Sequence, residues 1–357
     1  MKIVHLVQSL DMGGIETLIL NMAKELKENG HEVHVIAFKK GGVISEKLLR
    51  AGIVVSLLDL KSMNILSIIK LRNSILNIEP DVVHLHSLPA GTYGRVALLL
   101  QSIPIVYHLH TEVSKAHDLS KSMILRERLL NLFGAKILAV SNQVKKDYSS
   151  YFRYPLDKIT VISGGVPDTR IFVKNEAREK LGLDLNKTYL AIVASLTTHK
   201  NHHYLFDIVK KIEDVELLVA GDGPLLAELK QYAIEIDISD RIHFLGVLDE
   251  VAQVYSSANF AILTSIREGL GLSLIEAQRA GIPCFGTEVG GIPEVIDSGE
   301  NGLLIPTGSE IDAARIIDGL MNTPDLSITY GKNARKKFLE TYEIGHYTKE
   351  LEKLYSS

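Results

Sequence analysis

Two doubly wound α/β domains, each a parallel sheet covered by helices, are the fold this sequence predicts, and three observations carry it. Short β-rich apolar runs alternate with helix-length amphipathic segments from end to end, the pattern of parallel strands joined by crossover helices. A length of 357 residues exceeds what one ordinary core fills and favours two domains. A polar, charged stretch from about Pro167 to Lys187, without sheet pattern, divides the strand series. It reads as the domain linker.

Before that stretch the apolar runs place strands at 2–8, 32–38, 54–58, 81–86, 104–110, 136–141 and 159–163, with helices between them such as 15–28 and 65–77. After it they fall at 188–195, 215–221, 242–246, 258–265, 282–287 and 302–306. The expected domains are 1–170 and 171–340, facing a central cleft, with a terminal helix at 341–357 that packs back on the first domain. In open sheets of this kind ligands bind beyond the carboxyl ends of the strands. Most of the chemically distinctive residues follow a strand.

Composition narrows the function classes. Apolar residues make up 46% and charged residues 23%, which is globular rather than disordered. Cys284 is the one cysteine, so neither a disulfide framework nor a thiolate metal cluster can be built, and a reducing compartment is expected. The segment MKIVHLVQSLDMGG reads as a first strand and not as a signal peptide. No run approaches the ~18 apolar residues that span a bilayer, so the expected location is the cytoplasm.

Charge is unevenly spread. Residues 1–172 carry 21 Lys+Arg against 15 Asp+Glu, and residues 173–357 carry 18 against 28. Lys115, Lys121, Arg126, Arg128 and Lys136, on a stretch read as helical, either form an ordinary solvated face or meet an anionic membrane at its inner surface. No nucleic-acid partner is expected, because a pI of 6.4 without interleaved basic and aromatic residues lacks the electrostatic footprint.

Candidate site residues cluster at predicted strand ends. The stretch Thr264 to Glu294 sets Glu268 and Glu276 around Gly269-Leu270-Gly271-Leu272, and then brings Gly290-Gly291 and Glu294. A helix beginning near Gly271 leaves unpaired backbone N–H groups beside both carboxylates. As helix-dipole partners the glutamates contribute only ~0.3–1 kcal/mol each, whereas hydrogen bonds to hydroxyls are worth ~1.5–3 kcal/mol. The stretch suits a ligand that is both anionic and hydroxylated.

Gly13-Gly14 opens the first helix and suits a phosphate or simply a tight turn; the third glycine of a dinucleotide fingerprint is missing. Lys200, in the loop after the strand 188–195, can neutralise phosphate charge or be an exposed loop lysine. Gly221-Asp222-Gly223 is most simply a turn. His84 with His86, and His108 with His110, each share a strand face. Four imidazoles could hold a metal, but no carboxylate stands at ligand spacing with them, and His110 is favoured as a ligand contact.

Taken in order, these residues resemble the retaining glycosyltransferases of the GT-B fold, family four in the sequence-based classification. Glu268-Gly-Leu-Gly-Leu-Ser-Leu-Ile-Glu276-Ala matches that family's pair of glutamates separated by seven residues, and Ala280-Gly281-Ile282-Pro283 and Gly290-Gly291-Ile292-Pro293-Glu294 extend the match. Gly13-Gly14, His84-x-His86, His110-Thr111, Val140-Ser141, Lys200-Asn201, Gly221-Asp222-Gly223 and Phe244-Leu245-Gly246 follow the family order. There are two departures. Ser195 stands where family members often carry arginine, and Gly164-Gly165-Val166-Pro167 replaces the usual Asn-Gly-Val-Asp turn.

The resemblance implies roles at matching positions. Glu276 binds the ribose, Glu268 the transferred sugar, Gly269 to Leu272 the sugar and phosphates, Gly14 and Lys200 the diphosphate, and His110 the sugar. Gly221 joins the donor site and Val247 lies near the base. The implied reaction moves a hexose or N-acetylhexosamine from a UDP- or GDP-sugar to a saccharide or lipid-linked acceptor in polysaccharide or glycolipid assembly. No Asp-x-Asp pair exists in the sequence to hold a divalent ion, so no metal and no cofactor are expected. The rival readings are a sugar-nucleotide epimerase of the same fold and a non-catalytic nucleotide-sugar-binding subunit.

Overall fold

Among the described residues the chain forms thirteen parallel strands in two sheets. The structure is a computed structural model that describes all residues except Lys40, Lys61, Met63, His117, Asp118 and the side chains of Lys115 and Ala116. The first sheet holds β1 (Lys2–Val7), β2 (Glu32–Ala37), β3 (Val54–Leu57), β4 (Val82–His86), β5 (Ile105–Leu109), β6 (Lys136–Ala139) and β7 (Ile159–Val161), in the order β3-β2-β1-β4-β5-β6-β7. The second holds β8 (Tyr189–Val193), β9 (Glu216–Ala220), β10 (Ile242–Gly246), β11 (Phe260–Leu263), β12 (Cys284–Thr287) and β13 (Gly302–Ile305), in the order β10-β9-β8-β11-β12-β13. Each strand lies inside the range read from the sequence.

Burial explains why the strands were legible. All five residues of β4 are buried, as expected for a central parallel strand covered on both faces. The edge strand β3 instead exposes Val54 and Leu57. Strand order reverses between β1 and β4 in one sheet and between β8 and β11 in the other. At such a reversal the crossover helices leave to opposite faces, and a crevice opens beyond the strand ends.

Two compact units result, one of Met1–Pro167 with Glu343–Ser357 and the other of Asp168–Tyr342. The chain re-enters the first unit after a π-helical turn at Phe338–Tyr342. There Ile344 N–H donates to the Val166 carbonyl (3.0 Å), and helix Ile344–Ser356 packs on helix Gly14–Glu28.

Two expectations need correction. The stretch from Pro167 to Lys187 contains a helix, Lys174–Lys180, and is packed into the second unit. Buried Arg178 ties it there by donating to the Ser257 carbonyl (2.9 Å) and to Asn259 Oδ1 (2.7 Å). A charged segment hid a helix whose anchor is an arginine. The basic stretch also breaks up: Lys121–Leu130 is a helix, but Lys136 starts β6 and its Nζ donates to the Leu354 carbonyl and Ser357 Oγ. The Lys115 side chain falls outside the described residues.

A buried ion pair fixes helix Ser87–Ala97 to helix Lys121–Leu130. Arg95 donates to Glu127 (2.5 Å), with both side chains 2% exposed, while Tyr148 Oη donates to Glu127 Oε1 (2.8 Å) and the guanidinium lies over the Tyr107 ring. Removing one partner of such a pair leaves a buried charge uncompensated. Arg95→Met should destabilise the first unit by roughly 3–5 kcal/mol, and Arg95→Met with Glu127→Leu should recover most of the loss. Urea unfolding of the two variants against the parent checks both outcomes.

Candidate active site

The site of the second unit grows from the ends of β8 and β11, the pair at which its strand order reverses. Beyond β11 the chain leaves the sheet through Thr264 and Ser265, both fully buried. Thr264 Oγ1 donates to the carbonyls of Lys200 (3.1 Å) and Asn201 (3.3 Å), and Ile266 N–H donates to the His199 carbonyl (2.9 Å). These bonds fasten the loop after β8 to the loop after β11. Asn201 sits in the left-handed region, with φ 56°, and turns the chain from the 3₁₀ turn Thr198–Lys200 into helix His202–Lys210.

The fastened loops bring two charges together. Lys200 Nζ donates to Glu268 Oε2 at 2.5 Å, with each side chain 17% exposed, and Ser265 Oγ donates to the same oxygen at 3.2 Å. Burial first, and then the positive charges of Lys200 and Arg267, hold His199 below the ordinary imidazole range. Arg267 therefore adds a second cation to this corner.

Two glycine turns set the backbone beneath the pair. Gly290 has φ 55°, and a Cβ there would stand 1.8 Å from the Glu268 carbonyl oxygen. Only glycine allows that approach, and the contact is sealed by Gly291 N–H donating to the same oxygen (3.1 Å). Gly221 serves the other loop. Its φ is 137°, a Cβ would meet the Ala194 carbonyl at 2.0 Å, and Leu196 N–H donates to the next carbonyl, Asp222 (3.0 Å). Gly221-Asp222-Gly223 is thus a brace for the loop that carries Lys200.

Helix Leu272–Arg279 begins directly after the glutamate loop, from Gly271 with φ 98° and without a side-chain cap. Its first N–H groups carry the partial positive charge of a helix start. Glu276 lies in its second turn, half-buried. Burial pushes its carboxyl up to about 7, against the pull of Arg279.

Comparisons with known proteins bear on this arrangement. The model of the Glycosyltransferase Family 4 matches residues 12–170, and that of the Glycosyl transferases group 1 matches residues 173–337. The chain belongs to the family 4, group 1 glycosyltransferases. An N-acetyl-alpha-D-glucosaminyl L-malate synthase of Bacillus anthracis is 26% identical over 96% of this chain and 94% of its own. A UDP-Gal:alpha-D-GlcNAc-diphosphoundecaprenol alpha-1,3-galactosyltransferase of Escherichia coli is 26% identical over 99% and 96%. The structure of Anabaena Alr3699/HepE in complex with UDP and glucose superposes with a TM-score of 0.90 at 23% identity, over 100% of this chain and 99% of that one. The fold is GT-B, and the epimerase and the non-catalytic subunit give way to a transferase.

In the glycosyltransferase the structure joins Lys200, Glu268, the loop Gly269–Leu272 and Glu276 around one strand end and one helix start. Gly221 acts on the backbone of that corner, and Val247 stands exposed just past the end of β10. Gly14 and His110 lie in the first unit, Gly14 as the first residue of helix Gly14–Glu28 and His110 just past β5. Thr264, Ser265 and Arg267 had been passed over, the first two because they prolonged an apolar run. His5 was also missed: it is a lone histidine in β1, and only the pairing of β1 with β4 sets it beside His84.

The Glu276 carboxyl supports a prediction with a definite sign. It holds its proton more tightly folded than unfolded, so stability falls as pH rises between the usual 4.5 and about 7, because the native state there binds the extra proton. Glu276→Gln has no charge to bury. It should match the parent near pH 4.5 and exceed it at pH 8 by on the order of 2 kcal/mol, allowing for the partial exposure of the side chain. Melting curves of both proteins across that range check it.

Proposed function

We propose that this glycosyltransferase moves a hexose or N-acetylhexosamine from a nucleoside-diphosphate sugar, a UDP-sugar in preference to a GDP-sugar, to a saccharide or lipid-linked acceptor. The anomeric configuration is retained and no metal ion takes part. The observation that carries this reading is the Lys200–Glu268 pair at 2.5 Å. It sets a cation and a hydroxyl acceptor side by side at a helix start, as a phosphorylated sugar requires.

The reaction breaks the bond between the anomeric carbon and the diphosphate oxygen, so negative charge grows on the leaving group and must be met by fixed positive charge. Lys200 turns its remaining N–H donors to the diphosphate, with Arg267 supplying the charge that Ser195 cannot. The N–H groups at the start of helix Leu272–Arg279 add their partial positive charge there, and the backbone at Gly14 in the first unit is assigned to a phosphate as well. Glu268 accepts from hydroxyls of the sugar, and Glu276 from the ribose. His110 meets the sugar, Gly221 holds the phosphate loop in shape, and Val247 lies at the base. The acceptor hydroxyl attacks from the side the diphosphate leaves and gives up its proton to the departing oxygen.

Two sets of relatives support the choice of donor and acceptor. Structures of the Anabaena protein contain UDP with glucose and UDP-glucose, and the Escherichia coli relative is named for UDP-Gal. That relative is also named for a diphosphoundecaprenol acceptor, and a Streptococcus pneumoniae relative is an alpha-monoglucosyldiacylglycerol synthase. Purified enzyme given UDP-glucose, UDP-galactose, UDP-N-acetylglucosamine and GDP-mannose should release UDP faster than GDP. Lys200→Ala and Glu268→Ala should each slow release by roughly 10²–10³-fold, the size of effect seen when one donor to a developing anion is lost. If every donor stays intact with acceptor extracts present, the reading fails.

A lipid-linked acceptor places the enzyme at the inner face of the cell membrane, as a peripheral protein of the cytoplasm. No helix among the described residues is long and apolar enough to cross a membrane. Helix Lys121–Leu130 and the turn after it instead expose Leu125, Leu129, Leu132 and Phe133, each by more than half. Lys121, Arg126 and Arg128 accompany this stripe, and the helix's one acid, Glu127, is buried against Arg95. Apolar side chains beside exposed Lys121 and half-buried Arg126 and Arg128, for which no ion pair occurs among the described residues, suit an anionic bilayer. The enzyme should sediment with vesicles containing phosphatidylglycerol and not with pure phosphatidylcholine, and Leu132→Ser with Phe133→Ser should abolish the difference. Equal partition to both vesicle types would sink the membrane contact.

A further inference from the structure

Five buried histidines line one face of the first sheet at its strand-order reversal. His5 on β1 pairs in register with His84 on β4, and His86 pairs with His108 on β5; with His110 just past β5, alternation sets all five on the same face. Three of them are connected through their rings. His5 Nδ1 meets His86 Nε2 at 3.1 Å, and His86 Nδ1 meets His110 Nε2 at 3.1 Å. Burial keeps these imidazoles neutral, holding His5 and His110 down at about 3 and His86 well below its ordinary range.

A neutral imidazole has one N–H donor and one bare nitrogen acceptor. A three-ring chain of them therefore has only two consistent polarities. In one, His5 Nδ1–H donates to His86 Nε2, His86 Nδ1–H donates to His110 Nε2, and His110 carries its proton on Nδ1. In the other every proton is reversed, and the chain ends inside the protein with a proton on His5 Nε2. That nitrogen is buried and has no partner, on a side chain with 0% exposure. His110 is the chain's outer member, 7% exposed, and Nδ1 is its remaining nitrogen. A stranded buried N–H is the rarer outcome, so the first polarity is preferred.

We propose that the His5–His86–His110 chain fixes the tautomer of His110, so that it presents Nδ1–H as a permanent hydrogen-bond donor. Such a ring gives a hydrogen bond to a hydroxyl or phosphate oxygen and cannot accept a proton through Nδ1 from an attacking hydroxyl. His110 is then a binding donor rather than a base, with His86 and His5 as positioning residues. The oxygen's owner, the donor sugar, rests on the proposed function; the tautomer does not.

The competing use of these rings is a metal site, since nitrogens of His5, His84 and His86, and of His86, His108 and His110, lie within 4.8 Å of one another. His84 Nε2 and both nitrogens of His108 also have no partner among the described residues. Ring geometry argues against it. A ligand's lone pair lies in its ring plane and must point at the ion, yet the chained nitrogens point at each other. His84 and His86 are stacked at 4.2 Å, with their planes 23° apart, so their lone pairs run side by side instead of converging.

The test is a long-range proton–nitrogen NMR spectrum of the full chain labelled with 15N-histidine, with His110 identified by the signal lost in His110→Gln. The expected result is Nδ1 protonated and Nε2 bare. His5→Phe, which cannot donate to His86, should move His110 toward an even mixture of tautomers. His5→Gln, whose amide N–H can still donate, should keep the parent tautomer. A purely structural role for His5 would leave the tautomer unmoved in both variants and would overturn the proposal, as would Nε2–H on His110 in the parent. Added cobalt(II) should leave the histidine signals and the visible spectrum unchanged; metal-bound shifts would also overturn it. A parent with the expected tautomer that turns over no nucleotide sugar would refute the proposed function and leave the chain standing.

Discussion

An ammonium and a carboxylate 2.5 Å apart, each only 17% exposed, persist at two strand ends because the backbone around them has no freedom to separate them. Thr264 bonds the carbonyls at Lys200 and Asn201, so the lysine loop cannot lift from the end of β11. Gly291 bonds the carbonyl of Glu268, with Gly290 pressed against that oxygen, so the glutamate loop cannot lift from the turn after β12. The pair itself accounts for little of the stability, because partly exposed ion pairs contribute at most ~1 kcal/mol. What the fold holds is the geometry, with the ammonium and the carboxylate kept together at the two strand ends.

The glycines of this corner follow from that constraint. Gly290 and Gly221 each bring a backbone within about a van der Waals contact of a carbonyl oxygen of the loop they support. Neither needs to touch a ligand to be required. Gly221 shapes Ala194–Leu196, and that loop leads to Lys200.

The strands were legible in the sequence because both faces of a central parallel strand are buried, which writes a continuous apolar run such as that of β4. The glutamate stretch was legible because its glycines and carboxylates are neighbours in the chain. What could not be read depends on contacts between distant segments. His5 gains its meaning only from the register of β1 with β4, and Ser265 only from the direction in which its hydroxyl leaves the sheet toward Glu268. Helix Lys174–Lys180 escaped because its burial is carried by Arg178, whose guanidinium finds carbonyls 79 and 7 residues away. An apolar pattern cannot announce a helix that is anchored by a charge.

The two sheets load their reversal points with different chemistry, and burial explains the difference. At the ends of β8 and β11 the side chains of Lys200 and Glu268 keep some access to water, each 17% exposed. Around β1 and β4 the side chains of His5, His84 and His86 have almost none. An isolated ion in such surroundings would give up its charge sooner than stay buried. Imidazole can be neutral near pH 7 and still offer a directed donor and acceptor. A row of neutral rings carries hydrogen-bond direction through a place where no charge survives.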